Sequence, residues 1–183
     1  AAEATAWGMA ALPGTLTTGW YAAPRLLAAV HLLTLGALAM SIVGFGWQLV
    51  PVVTAEAPPR GWAAVAGVVN ALVGTGVALL FVGMVALPMR AVAGLGGGLV
   101  VAGLLLRSGA VVFALVRAKG RVPERGWLLA AELCLLAGLA LGAGLLAGRL
   151  GHPVLDDPIR AIGWHAALLL FGWVGGWIGG MGA

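Results

Sequence analysis

Two histidines of this 183-residue chain lie inside apolar segments, where an imidazole needs a chemical reason. His31 lies in "AAVHLLTLGALAMSIVGFGWQLVPVV" (residues 28–53), and His165 lies in "WHAALLLFGWVGGWIGGMG" (residues 164–182). Imidazole nitrogens are axial ligands of haem iron and ligands of other metals, and ionisable groups within membrane spans are functional candidates. The alternative is that each histidine makes one interhelical hydrogen bond and nothing more.

The two histidines are predicted to lie at the same depth in the membrane. His31 follows Arg25 by six residues, and His165 follows Arg160 by five. At about 1.5 Å per helical residue, both imidazoles lie roughly 8–9 Å below the same membrane face. We therefore predict that His31 and His165 bind one haem or metal between two parallel helices. His152, in a loop on that face, is expected to be solvated, with metal ligation as the alternative.

Polar residues recur every seven positions after His31. Thr34, Ser41 and Gln48 fall with it on an arc of about 100°, if each residue turns the helix by 100°. This face is predicted to look into the helix bundle. Thr34 and Gln48 are then candidate cofactor contacts, and hydrogen bonds between helices are the alternative.

A second pair of ionisable residues lies deeper in the apolar sequence. Arg107 precedes Arg117 by ten residues, and Glu132 follows Arg125 by seven, so both count from the other membrane face. Because charges in lipid are usually paired, we predict an ion pair between Arg107 and Glu132. A proton relay or a partner for haem propionates is the functional alternative.

Composition identifies the elements that must position these residues. The chain is 62% hydrophobic and 9% charged, whereas a soluble domain carries about 25% charged residues. Period-two alternation is absent, and open sheets cannot satisfy their backbone in lipid. We therefore predict an all-α integral membrane protein, a single membrane domain over residues 1–183. Its five transmembrane helices are expected at about 22–50, 62–87, 92–116, 127–147 and 162–181.

Loops and ends predict the setting of this bundle. Five loop cations lie on one side and four on the other, and four of the five lie in the loop at 117–125. By the positive-inside rule we place that loop in the cytoplasm and the N-terminus outside, in a bacterial inner membrane. Both ends are apolar, which predicts that the chain is part of a longer protein. Its 31 glycines are typical of closely packed helices.

Several chemistries are excluded by missing motifs. The chain has no glycine-rich phosphate loop with a lysine, no CxxC, no HExxH and no serine elbow. Its single cysteine, Cys134, can form no internal disulfide. No basic cluster with interleaved aromatic residues indicates a nucleic-acid partner.

Two segments together resemble known membrane proteins. His31 with Leu35-Gly36, Gly44 and "QLVPVV" (48–53), and His165 with "FGW" (171–173), resemble proteins related to subunit I of haem–copper oxidases. That group includes haem-containing membrane proteins of nitric-oxide metabolism. The resemblance implies haem b on His31 and His165, with copper as a lesser alternative, and a role in respiration or nitric-oxide handling.

The resemblance also has a departure that limits the expected activity. It implies a second histidine near position 167, where this chain has Ala167. Three histidines cannot supply haem and copper sites together, so the chain alone is not expected to be an oxidase. The leading hypothesis is a haem-b protein in electron transfer or in sensing or handling a diatomic gas.

Two other functions stay open at the level of sequence. One is a non-enzymatic structural or assembly subunit of a respiratory complex, and the other is a small transporter using His31, Arg107 and Glu132. Membrane lipids, a respiratory-complex partner or further copies of the chain are the expected partners.

Overall fold

The computed structural model describes residues 23–85, 89–119 and 124–180 and confirms an all-α membrane bundle. Five helices in these residues are long and apolar enough to cross a membrane, and no strand occurs among them. They are α1 (Pro24–Thr54), α2 (Trp62–Val85), α3 (Arg90–Arg117), α4 (Arg125–Arg149) and α5 (Pro158–Gly180).

The largest differences from the predicted bounds lie at the end of α1 and the start of α5. Helix α5 begins four residues earlier than predicted because Asp157 caps its N-terminus. The Asp157 carboxylate accepts a hydrogen bond from the Arg160 backbone N–H at 3.0 Å, and Pro158 occupies the first turn. Helix α1 continues four residues past the prediction, to Thr54, and is followed by its C-cap residue, Ala55, which has a left-handed φ of 51°. Polar and proline-bearing sequence at both places hid the helix continuation.

Pro51 lies inside α1 and is accommodated by a neighbouring helix. Proline has no N–H, so the carbonyl oxygen four residues earlier, on Trp47, loses its helical donor. The indole Nε1 of Trp62, the first residue of α2, donates to that oxygen at 3.0 Å. The two indoles also meet edge to face, with centroids 4.7 Å apart. This contact joins the end of α1 to the start of α2.

Small residues set the closest helix contact, between α2 and α3. A Cβ built on Gly76 would lie 2.8 Å from the Gly96 carbonyl oxygen and 2.8 Å from the Val100 nitrogen. No such contact exists at Gly67, Gly74 or Gly98, where the space is open. Glycine-mediated packing is therefore present, but only at some glycines of the two segments.

The remaining helices are arranged around this pair. Helix α1 packs against α2 and α3, α4 packs against α3, and α5 packs mainly on α4. Helices α1 and α5 meet through side chains, at His31 with His165 near one end and at Gly46 with Trp177 near the other. Within the described ranges the core is apolar except for four buried polar residues, Thr54, Arg107, Ser108 and Glu132.

Both helices that carry the histidines contain a π-helical segment. It covers Leu32–Ala39 in α1, directly after His31, and Leu168–Val174 in α5, three residues after His165. The π-helix, with its hydrogen bonds between residues five apart, is rare and is found frequently at functional sites. Because a π-helical segment lies next to each histidine, this level of the bundle is a candidate for a functional site.

Candidate functional site

The structure brings His31 and His165 together. Their ring centroids are 6.5 Å apart, and the ring planes differ by 23°. Both residues are half-buried, between the interior and the lipid-facing surface. The two arginine spacings predicted that the histidines lie at one level of the bundle. In the structure they do, and their rings face each other.

Helix α4 holds His165 from the side. The His165 Nδ1 lies 2.8 Å from the Gly138 carbonyl oxygen. A carbonyl can only accept, so Nδ1 carries the hydrogen and Nε2 is left with its lone pair. One helical turn further along α4, Gly142 makes room for the ring: a Cβ there would lie 2.7 Å from Cε1. Two glycines on one face of α4 thus set the position of this imidazole.

His31 is held by its own helix. Its Nδ1 lies 2.8 Å from the Leu27 carbonyl oxygen, four residues earlier. The same reasoning places the hydrogen on Nδ1 and a lone pair on Nε2. Neither Nε2 has a hydrogen-bond partner among the residues that the structure describes. A carbonyl partner on the second nitrogen is the usual arrangement for a metal-binding histidine.

A cation lies near the pair. Arg149, the last residue of α4, lies at the same end of the bundle. His152, by contrast, is exposed in the loop after α4. No group of three or more potential metal ligands of the His, Cys, Asp or Glu type occurs within the described ranges.

The predicted polar face of α1 is wrong beyond its first turn. Ser41 and Gln48 are exposed in the described part of the chain, and Gln48 lies roughly 25 Å along the helix from His31. The angular prediction assumed 100° per residue, but the π-helical segment has wider turns and changes the register. The hydroxyls of Thr34 and Ser41 donate to carbonyls four residues earlier, on Val30 and Ala37, at 2.8 Å each. Both hydroxyls are therefore satisfied by hydrogen bonds within α1 and need no partner on another helix.

Arg107 and Glu132 form an ion pair deep in the bundle. Arg107 Nη1 lies 2.5 Å from Glu132 Oε1, and both side chains are at most 1% exposed. The indole Nε1 of Trp177 donates to the same carboxylate oxygen at 2.8 Å. Helices α3, α4 and α5 each contribute one of these three side chains.

Aromatic rings cover the guanidinium of Arg107. Its Cζ lies 4.5 Å from the Trp177 ring centroid and 5.4 Å from that of Trp173. On the α1 side, a Cβ at Gly46 would lie 2.9 Å from Arg107 Nη2, so the glycine makes room for the cation. Four helices thus meet at one charge pair. Glu132 Oε2, Arg107 Nε and Nη2, and Trp173 Nε1 have no partner among the described residues.

Sequence reasoning missed three features of these two sites. The glycines beside His165 are four residues apart on α4, a spacing that places them on one helix face. Arg149 lies at the level of the histidines, and its place at the end of the predicted fourth span was a usable signal. Trp177 as a donor to Glu132 had no sequence signal, because the indole lies 45 residues away.

Comparison with known proteins gives no relative for this chain: no family model, no curated protein and no solved structure matches it.

Proposed function

We propose that this integral membrane protein binds one haem b through His31 and His165 and serves in electron transfer. The observation that carries the proposal is the pair of facing imidazoles. Each has Nδ1 committed to a backbone carbonyl, and each keeps Nε2 for a ligand.

The arrangement of the rings supports binding of one group by both histidines. The two rings are stacked, with centroids 6.5 Å apart, so two imidazoles lie at one level of the bundle. His31 and His165 would hold the iron of a haem, because two imidazoles are a sufficient set of protein ligands for it. A copper site usually recruits more donors, so copper stays the lesser alternative.

The surroundings of the imidazoles would tune such a group. Haem bound here supplies reversible one-electron chemistry. The carbonyls of Leu27 and Gly138 raise the electron-donating power of the imidazoles and hold their orientation. Arg149, the last residue of α4, adds a positive charge at the same end of the bundle. In this proposal the Arg107–Glu132 pair, to which Trp177 donates a further hydrogen bond, has a structural role.

Retention of both histidines favours electron transfer over gas handling, because a diatomic gas would have to replace one of the two imidazoles. His31 and His165 are each held in place by a hydrogen bond to a backbone carbonyl. A role in respiration, which the sequence resemblance to oxidase subunit I-like proteins implies, is part of this proposal. We place the histidine end of the bundle, with the N-terminus, on the outer side of a bacterial inner membrane.

The decisive experiment is absorption spectroscopy of the purified protein. Expression with ample haem precursor is expected to give Soret and α/β bands that sharpen on reduction, and about one haem per chain by the pyridine haemochrome assay. Carbon monoxide is expected to leave the reduced spectrum of a six-coordinate haem largely unchanged.

Matched alanine variants assign the ligands. His31→Ala and His165→Ala are expected to lose or shift the bands, whereas His152→Ala, in the exposed loop, keeps them. Helical content and a monodisperse elution profile show that each variant is folded. A haem-free wild type, or unchanged spectra in both variants, contradicts the proposal.

A further inference from the structure

A cavity of about 390 Å³ opens at the end of the bundle opposite the histidines. It lies between the last turn of α1, the following loop and the last turn of α3. Its lining includes Trp62, at the start of α2, together with Val50, Pro51, Glu56, Arg60, Phe113 and Arg117. Because the ends of three membrane helices form it, the cavity lies at the level where lipid headgroups meet the hydrocarbon.

The cavity combines two guanidinium groups with an apolar wall. Arg60 lies in the loop two residues before α2, and Arg117 is the last residue of α3. The Arg117 Cζ lies 5.1 Å from the ring centroid of Phe113, which orients the guanidinium over an aromatic face. Below the two cations, Val50 and Pro51 of α1 add apolar surface.

Neither cation is neutralised by the described part of the chain. Among the described residues, no carboxylate lies within 4 Å of the charged nitrogens of Arg60 or Arg117. The one acidic residue of the lining, Glu56, accepts the backbone N–H of Lys119 at 2.7 Å. That bond draws the chain after α3 toward the cavity and adds another cationic residue to its surroundings. Two guanidiniums against one engaged carboxylate leave the site positive.

We propose that this cavity binds the phosphate headgroup of an anionic glycerophospholipid. Guanidinium groups bind phosphate oxygens through paired, charge-assisted hydrogen bonds. Basic pockets between the ends of transmembrane helices are the usual setting for anionic headgroups. The apolar wall of Val50, Pro51 and Phe113 favours a lipid over a free phosphate, because it offers contact to the glycerol backbone and the first acyl carbons.

The test is lipid retention measured by native mass spectrometry. Protein in detergent is titrated with phosphatidylglycerol, with phosphatidylcholine as the zwitterionic reference. Wild type is expected to retain one phosphatidylglycerol at concentrations where phosphatidylcholine is lost. Replacing both cations, Arg60→Gln with Arg117→Gln, is expected to weaken phosphatidylglycerol binding about tenfold or more.

A charge-matched control separates the cavity from general electrostatics. Arg25→Gln with Arg160→Gln removes two cations from the other end of the bundle and is expected to leave the affinity unchanged. Equal retention by wild type and the Arg60/Arg117 variant, or equal loss in the control, overturns the proposal. Saturation by inorganic phosphate at concentrations that displace the lipid assigns the cavity to a soluble phosphate compound and overturns the lipid assignment. Unchanged melting of the variants excludes unfolding as the cause of lost binding.

Discussion

Glu132→Gln is expected to destabilise the bundle strongly although it changes a single atom type. The substitution keeps the shape of the side chain but removes the negative charge, and Arg107 is then a cation that is 0% exposed without a counter-charge. Breaking a buried ion pair by removing one partner costs about 3–5 kcal/mol. Trp177 can still donate to the amide oxygen of the glutamine, but this hydrogen bond loses its charged acceptor and is weakened, so the upper half of that range is expected.

The second half of the test removes both charges. Arg107→Met combined with Glu132→Gln leaves no unpaired charge, so its destabilisation is expected to be smaller than the sum of the two single variants by about 2 kcal/mol or more. Unfolding by sodium dodecyl sulfate in mixed micelles, followed by tryptophan fluorescence, measures each free energy. Asp156→Asn, an exposed loop carboxylate, is the charge-matched control.

Two results would refute this reasoning about the ion pair. One is a Glu132→Gln protein whose free energy of unfolding lies within 1 kcal/mol of wild type, since a buried guanidinium without a counter-charge is expected to cost more than that. The other is strict additivity in the double variant, because two groups 2.5 Å apart must be coupled.

Three further variants test other contacts. Gly142→Ala is expected to reduce haem occupancy several-fold by pushing the α5 imidazole from its carbonyl, whereas Gly98→Ala, in open space, keeps it; equal pyridine haemochrome yields would contradict this. Gly76→Ala is expected to lower the free energy of unfolding by about 1–3 kcal/mol in the same micellar assay, because the new Cβ meets the α3 backbone. Gly74→Ala, in open space, is expected to be neutral or slightly stabilising. The reverse order of stabilities would contradict this packing. Trp62→Phe removes the indole donor to the Trp47 carbonyl and is expected to lower the free energy of unfolding by about 1 kcal/mol beyond the loss of packing. This extra cost is expected to vanish when Pro51→Ala supplies a backbone N–H to the same carbonyl. A cost that the second substitution leaves unchanged would count against the hydrogen bond.

Sequence reasoning predicted the fold and the pairing level of the histidines for simple physical reasons. Apolar length and scarcity of charge are sufficient to predict spans, because lipid admits few alternatives. Counting residues from Arg25 and Arg160 placed both imidazoles at one depth, because the rise per residue is nearly constant over the first turns. Partner choice for Arg107 followed from the high cost of an unpaired charge in lipid.

The angular part of the prediction failed for an equally physical reason. Placing Ser41 and Gln48 on the face of His31 required a constant turn per residue, and the π-helical segment Leu32–Ala39 breaks that condition. No residue in that segment is specific for π-helix, since "LLTLGALA" is an ordinary helical sequence. Which glycines touch backbone was equally hidden: Gly74 and Gly76 look alike in sequence, and only the second faces α3.

The two imidazoles differ in what anchors them, and this has a mechanical consequence. His31 is tied to a carbonyl of its own helix, whereas His165 is tied to Gly138 across a helix boundary. A sliding of α4 along α5 therefore pulls on one ring and leaves the other at rest. Displacement of this single helix therefore changes the separation and the relative tilt of the two imidazoles.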